Sequence, residues 1–92
     1  MHRIIAAALT MALGEFQITV DVGATVEADV GQAMGWFCDD PTLIQADLVT
    51  REGRNIFIVT GVTPGKTQCR VGMGPGRTTF LFDVTVTPPA PR

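Results

Sequence analysis

The stretch Gly61–Thr67 reads GVTPGKT, and its last three residues are those that close a phosphate-binding P-loop. In that motif four residues separate the first glycine from Gly-Lys-Thr, so that successive backbone N–H groups ring the phosphates. Here only Val62, Thr63 and Pro64 intervene, and the proline has no N–H to donate. The position that would have to be glycine is Thr60. The loop should also open a helix whose N-terminus faces the phosphate, whereas Gln68-Cys69-Arg70-Val71 continues with period two. Pro-Gly is a turn centre, with proline fixing φ and glycine accepting φ > 0. The motif reads as a turn, and no nucleotide is expected.

Other chemical groupings dissolve in the same way. Gly72–Gly76, GMGPG, has a G-x-G-x-G spacing with no helix after it, which is a hairpin loop rather than a dinucleotide fingerprint. Met73 at its tip, with Gly74, Pro75 and Arg77, is a candidate partner-binding loop. Asp39 and Asp40 are adjacent, so on a strand they face opposite ways, and Asp-Asp-Pro is an ordinary turn opener. Asp47 and Glu52 do not add the dense ligand spacing of a calcium loop. The chain has no Ser and no Tyr, and its single His is His2. Those side chains supply much of hydrolytic and acid–base catalysis, so the reading is of a non-enzyme with no cofactor and no metal. A formal net charge of −2 offers no basic face for nucleic acid. Arg51, Arg54, Lys66, Arg70 and Arg77 are spread out, as on a solvated surface.

The N-terminus differs from the rest. In MHRIIAAALTMALG (1–14), His2 and Arg3 precede an apolar run from Ile4 to Leu13, and Ala12 and Gly14 are small residues two apart. This pattern reads as a short secretory signal cleaved near Glu15; the alternative is a buried N-terminal helix or strand. A run of ten residues falls short of the roughly twenty needed to span a bilayer, so no membrane span is expected in the mature chain. The compartment implied is periplasmic, or secreted to the cell surface. In an exported chain two cysteines, Cys38 and Cys69, suggest a disulfide. Closing a loop of about 30 residues would stabilise by about 3–4 kcal/mol in the chain-entropy model. Two Cys without a nearby His leave a zinc shell half empty.

These residues must be positioned by strands. In residues 15–22, Phe16, Ile18, Val20 and Val22 alternate with Gln17, Thr19 and Asp21, giving one buried face. Val26, Ala28 and Val30 repeat the pattern against Glu27 and Asp29, and Met34, Trp36 and Cys38 share the next face. Trp36 is therefore expected in the core. Ile44, Ala46 and Leu48 alternate over 43–50; residues 55–62 are apolar on both sides, as in a central strand. KTQCRVG (66–72) and TTFLFDVTV (78–86) complete the set, and the Pro-rich tail 88–92 lacks the donors to join a sheet. About seven short strands with turns every 8–12 residues and no amphipathic helix predict an all-β, antiparallel β-sandwich over 15–87.

The run from Asp39 to Val71 resembles the bacterial immunoglobulin-like domains of the group 2 type. The chain is equally similar to the pilus-formation N-terminal domain that precedes secretins in tight-adherence pilus systems. Ile18, Val20 and Gly23 match that family's opening, Asp40-Pro41, Ile44 and Ala46-Asp47 its middle, and Gly61, Pro64-Gly65 and Thr67 its last turn. The likeness covers Phe16 to Val86 and is carried mainly by turn residues. It implies an immunoglobulin-like sandwich in which the third and sixth strands neighbour each other, so that Cys38 and Cys69 would bridge across strands within one sheet. Both families usually lack that cysteine pair. The resemblance also implies an exported binding or structural module, with a protein partner in the cell envelope (a pilus or secretin component) or self-association. The alternatives are a surface adhesion or carbohydrate-binding module, which would require an exposed Trp36, and a phage virion accessory domain.

Overall fold

The computed structural model describes residues 8–12, 15–74 and 77–89. Eight strands follow one another without a helix among the described residues: β1 (Ala8–Ala12), β2 (Glu15–Asp21), β3 (Thr25–Asp29), β4 (Gly35–Cys38), β5 (Ile44–Arg51), β6 (Arg54–Gly61), β7 (Gly65–Gly74) and β8 (Arg77–Thr87). They form two sheets, ordered β1-β2-β8-β7-β4 and β3-β6-β5. Counted from β2 as the first strand, this is the immunoglobulin-like strand order, with the second, fifth and fourth strands (β3, β6, β5) on one sheet and the third, sixth and seventh (β4, β7, β8) on the other.

The seven expected strands are present within one or two residues of their expected ends. Two features depart from a purely antiparallel seven-stranded sandwich. β2 pairs with β8 in parallel, from Glu15↔Leu81 to Asp21↔Thr87. The first strand has joined the sheet of the last one, which is possible because the whole domain lies between them in sequence. β1 is an eighth strand, inside the segment read as a signal, and it pairs antiparallel with β2 from Ala8↔Thr19 to Ala12↔Glu15. The rest of that segment (1–7, 13 and 14) and the end of the tail (90–92) lie outside the described residues.

The facing layers meet in one core. Ile18 and Val20 of β2, Val26 and Ala28 of β3, Phe57 and Val59 of β6, and Val71, Phe82, Val84 and Val86 of β7 and β8 are all buried. One aromatic contact ties the sheets together, Phe57 stacking on Phe82 with centroids 5.4 Å apart, and within the larger sheet Phe16 lies 5.2 Å from Phe82. Such contacts add to area burial because ring edges and faces carry opposite partial charge.

Two turns show how local chemistry sets the topology. β5 and β6 are joined by Glu52 and Gly53 alone, with φ of 53° and 79°. Two consecutive left-handed residues make the type I′ hairpin turn, whose twist suits the flanking strands. At Gly61 the small sheet closes against β2: its N–H donates to Ala24 O at 3.1 Å, and its carbonyl accepts from Gly23 N at 2.9 Å. A Cβ there would stand 2.6 Å from the Asp21 carbonyl oxygen, so the approach admits only glycine.

Candidate functional site

GVTPGKT is the crossover between sheets. β6 ends at Gly61, Val62 and Thr63 both donate their amides to Leu43 O (2.9 and 3.1 Å), and β7 begins at Gly65 in the other sheet. Lys66 and Thr67 are strand residues opposite Thr85 and Val84. Leu43 O thus takes two amides of the would-be phosphate loop, and the Thr67 hydroxyl accepts from Asp40 N at 2.8 Å. Gly72 and Gly74 belong to a bulged β7–β8 hairpin.

The acidic residues are spoken for individually. Asp39 accepts from Arg70 at 2.8 Å, and Asp40 accepts from the amide and hydroxyl of Thr42, an Asx-type turn. Among the described residues no three His, Cys, Asp or Glu side chains gather as a metal site would need.

The outer face of the small sheet carries a charge lattice. Arg51 on β5 reaches across β6 to Glu27 on β3, with bonds of 2.6 and 3.1 Å, and Arg54 on β6 grips Asp29 at 3.0 and 2.8 Å. Hydrogen bonds from Arg51 hold the Glu27 carboxyl below its ordinary range. Arg54, then the Gly31 amide, do the same for Asp29, and each arginine is raised in turn. Between these pairs lie Ile56 and Ile58, only partly exposed. Long cationic stems can shelter such apolar faces while their heads stay wet.

The edge of the larger sheet is different. Cys38 and Cys69 stand directly opposite on β4 and β7 and are bonded, with Cα atoms 4.0 Å apart. Asp39 donates its amide to the facing Gln68 carbonyl at 2.9 Å. That contact makes residues 35, 37 and 39 the hydrogen-bonded members of the ladder and 36 and 38 the closely spaced ones. It follows that the N–H and C=O of Trp36 and Cys38 point away from β7, off the end of the sheet.

Around that edge sit Met34 (73% exposed), Trp36 (39%), Phe37 (63%) and Met73 (45%). Trp36 corrects the expectation of a core residue. Its ring leans on Phe57, centroids 5.9 Å apart, but among the described residues no further strand covers its other side, because β4 is the last strand of its sheet. Met34 lies one residue before β4 begins, beyond the core that its alternation aimed at. Phe37 was absent from the sequence reading, although the signal was available. If Cys38 points inward, its neighbour points outward, and a phenylalanine in an outward position is an exposed ring.

Of the four candidate loop residues, Met73 is exposed beside this patch, Gly74 ends β7 and Arg77 begins β8; Pro75 and the Arg77 side chain lie outside the described residues. Met34 N–H donates to Gly72 O at 2.9 Å, which brings the β4 approach and the hairpin side by side. No family model, no curated protein and no solved structure matches the chain.

Proposed function

We propose that this chain is an exported, non-enzymatic immunoglobulin-like module that binds protein through the β4 edge and the adjoining hairpin. The reading rests first on the exposed group Met34, Trp36, Phe37 and Met73. Small soluble domains rarely leave several large apolar side chains together at the surface unless a partner covers them. The signal-like start, the cysteine bridge and the resemblance to secretin-associated domains direct the reading to a bacterial envelope assembly such as a pilus or secretin.

The test is expression with the native N-terminus, followed by fractionation and intact-mass measurement. The expected result is protein in the envelope fraction, lighter by the two thiol hydrogens, with a photo-crosslinker at position 37 forming one defined protein adduct. Protein found only in the cytosol with both thiols open to alkylation overturns it.

A second reading, carbohydrate binding, is favoured by the half-exposed Trp36, since indole faces stack on sugar rings. Glycan-array signal abolished by Trp36→Ala and retained by Phe37→Ser supports that reading over the first.

A further inference from the structure

We propose that the protein partner at the β4 edge is a second copy of this chain, paired antiparallel about a dyad at Phe37 so that two five-stranded sheets become one. This rests on the reading of the β4 edge as a binding surface, and three observations lead from that surface to a second copy.

The first is parity. The free N–H and C=O groups belong to Trp36 and Cys38, flanking Phe37 symmetrically. In an antiparallel self-pair centred on Phe37, Trp36 of one copy meets Cys38 of the other, and the converse. Both members of each pair have outward-pointing groups, which gives four inter-chain backbone hydrogen bonds. A two-fold interface requires self-complementarity of this kind.

The second is what lies on each face. Phe37 meets its own copy at a closely spaced position on the outer face, where facing aromatic side chains attract. In the next row Asp39 meets Gly35, whose missing Cβ has nothing within 4 Å. No like charges face one another across the dyad, and a net charge of −2 opposes association weakly.

The third is that this edge is unguarded and held rigid. Sheet edges are commonly protected by charge, proline or bulges. β3 and β5, the edges of the small sheet, carry Glu27 and Asp29, and Asp47 and Arg51. β4, Gly-Trp-Phe-Cys, carries no charge, and the bond from Cys38 to Cys69 clamps it to β7. A strand already fixed in shape loses little entropy when a partner adds to it. Four residues a side make a small interface, of the size class of transient complexes, so the dimer exchanges rapidly.

The experiment is sedimentation velocity on the oxidised chain from about 10 µM to 1 mM, a range suited to weak association. The expected result is a concentration-dependent shift from monomer to dimer. Phe37→Lys and Phe37→Glu should each weaken association at least about tenfold, because like charges then meet at the dyad. An equimolar mixture of the two should restore a dimer containing one of each, a rescue that general loss of hydrophobicity would not give. Circular dichroism and Tm should stay unchanged in each variant, since the ring is exposed. Monomer throughout the range, undiminished association of Phe37→Lys, or a mixture that stays monomeric overturns the proposal. An oxidised, exported monomer that still forms a defined crosslink to another protein refutes the dimer while leaving the binding-module reading intact.

Discussion

Two regions of this molecule place large apolar side chains at the solvent boundary, and they are finished differently. On the small sheet, Ile56 and Ile58 lie in a lattice of Arg51, Arg54, Glu27 and Asp29, and all the polar heads are paired. At the β4 edge, Trp36 and Phe37 have no such cover, and the nearest ion pair, Arg70 with Asp39, leaves Phe37 63% exposed. The same sheet physics generates both surfaces. The contrast shows that covering an outer face takes only a pair of long side chains on neighbouring strands, so leaving an edge bare is not forced by the fold. Each variant below removes what is peculiar to one region, or what the two share.

The shared element is Phe57, which is fully buried on β6, stacks on Phe82, and carries Trp36 on its other side. Phe57→Ala should lose about 3–5 kcal/mol, the usual range for emptying an aromatic site in a core. Urea unfolding measures it. The chain has a single tryptophan, so its emission reports the β4 edge; a red shift in the folded variant is expected, and an unmoved spectrum would mean that Trp36 is held by something other than Phe57.

The next effect belongs to the β4 side alone. Replacing both Cys38 and Cys69 by Ala removes a cross-link 31 residues apart in sequence. The entropy it takes from the unfolded chain corresponds to about 3–4 kcal/mol. Amide exchange should accelerate most at Phe37 and Asp39, whose N–H groups face β7, because a four-residue edge strand has only that ladder to hold it otherwise. Exchange that accelerates equally in β3 and β5 would show that the clamp stabilises the whole domain and not this edge in particular.

The same contrast explains how much could be read from the residues in order. Alternation over Phe16–Val22, Val26–Val30 and Phe80–Val86 specified strands and their inner faces, because a period of two is a local property. Turn chemistry placed Gly53, and it marked Pro64-Gly65 as a break in the strands rather than a phosphate loop, although the bend falls at Thr63 and Pro64, and Gly65 already begins β7. Sheet membership was not local. Whether β2 joins β8 or β3 depends on the core between them, and the parallel pairing left no mark on either strand. The exposure of Trp36 was hidden for a related reason: alternation shows which face a residue is on, not whether the sheet continues past it. Phe37 requires only parity, because an inward Cys38 makes its neighbour point outward.

Smaller effects sharpen the comparison of the two surfaces themselves. Ile58→Ala should cost about 1 kcal/mol, reflecting a half-buried aliphatic side chain, whereas Phe37→Ala should fall within about 0.5 kcal/mol of the parent in dilute solution. Chemical denaturation of both variants side by side provides the measurement. If Phe37→Ala proved the costlier, Phe37 would be packing within its own chain, and the description of the edge as bare would fail.

The smallest effect concerns the charge lattice, and its sign follows from linkage. Glu27 and Asp29 have carboxyls lowered from ordinary values of 4.5 and 3.8. A group whose pKa is lower in the folded state adds stability above its unfolded pKa and loses it as pH falls through the folded one. The contribution is therefore complete above about pH 5 and disappears below the lowered values. All four groups are at the surface, where solvent and salt screen most of the interaction. Arg51→Ala with Arg54→Ala should lower Tm at pH 7 by about 1–3 °C, and the gap to the parent should narrow on going to pH 3. A remainder that persists at pH 3 and in high salt would be the shelter the two stems give Ile56 and Ile58, which does not titrate. A gap independent of both pH and salt would assign the whole role of these arginines to covering apolar surface. The ion pairs would then serve only to hold the stems in place.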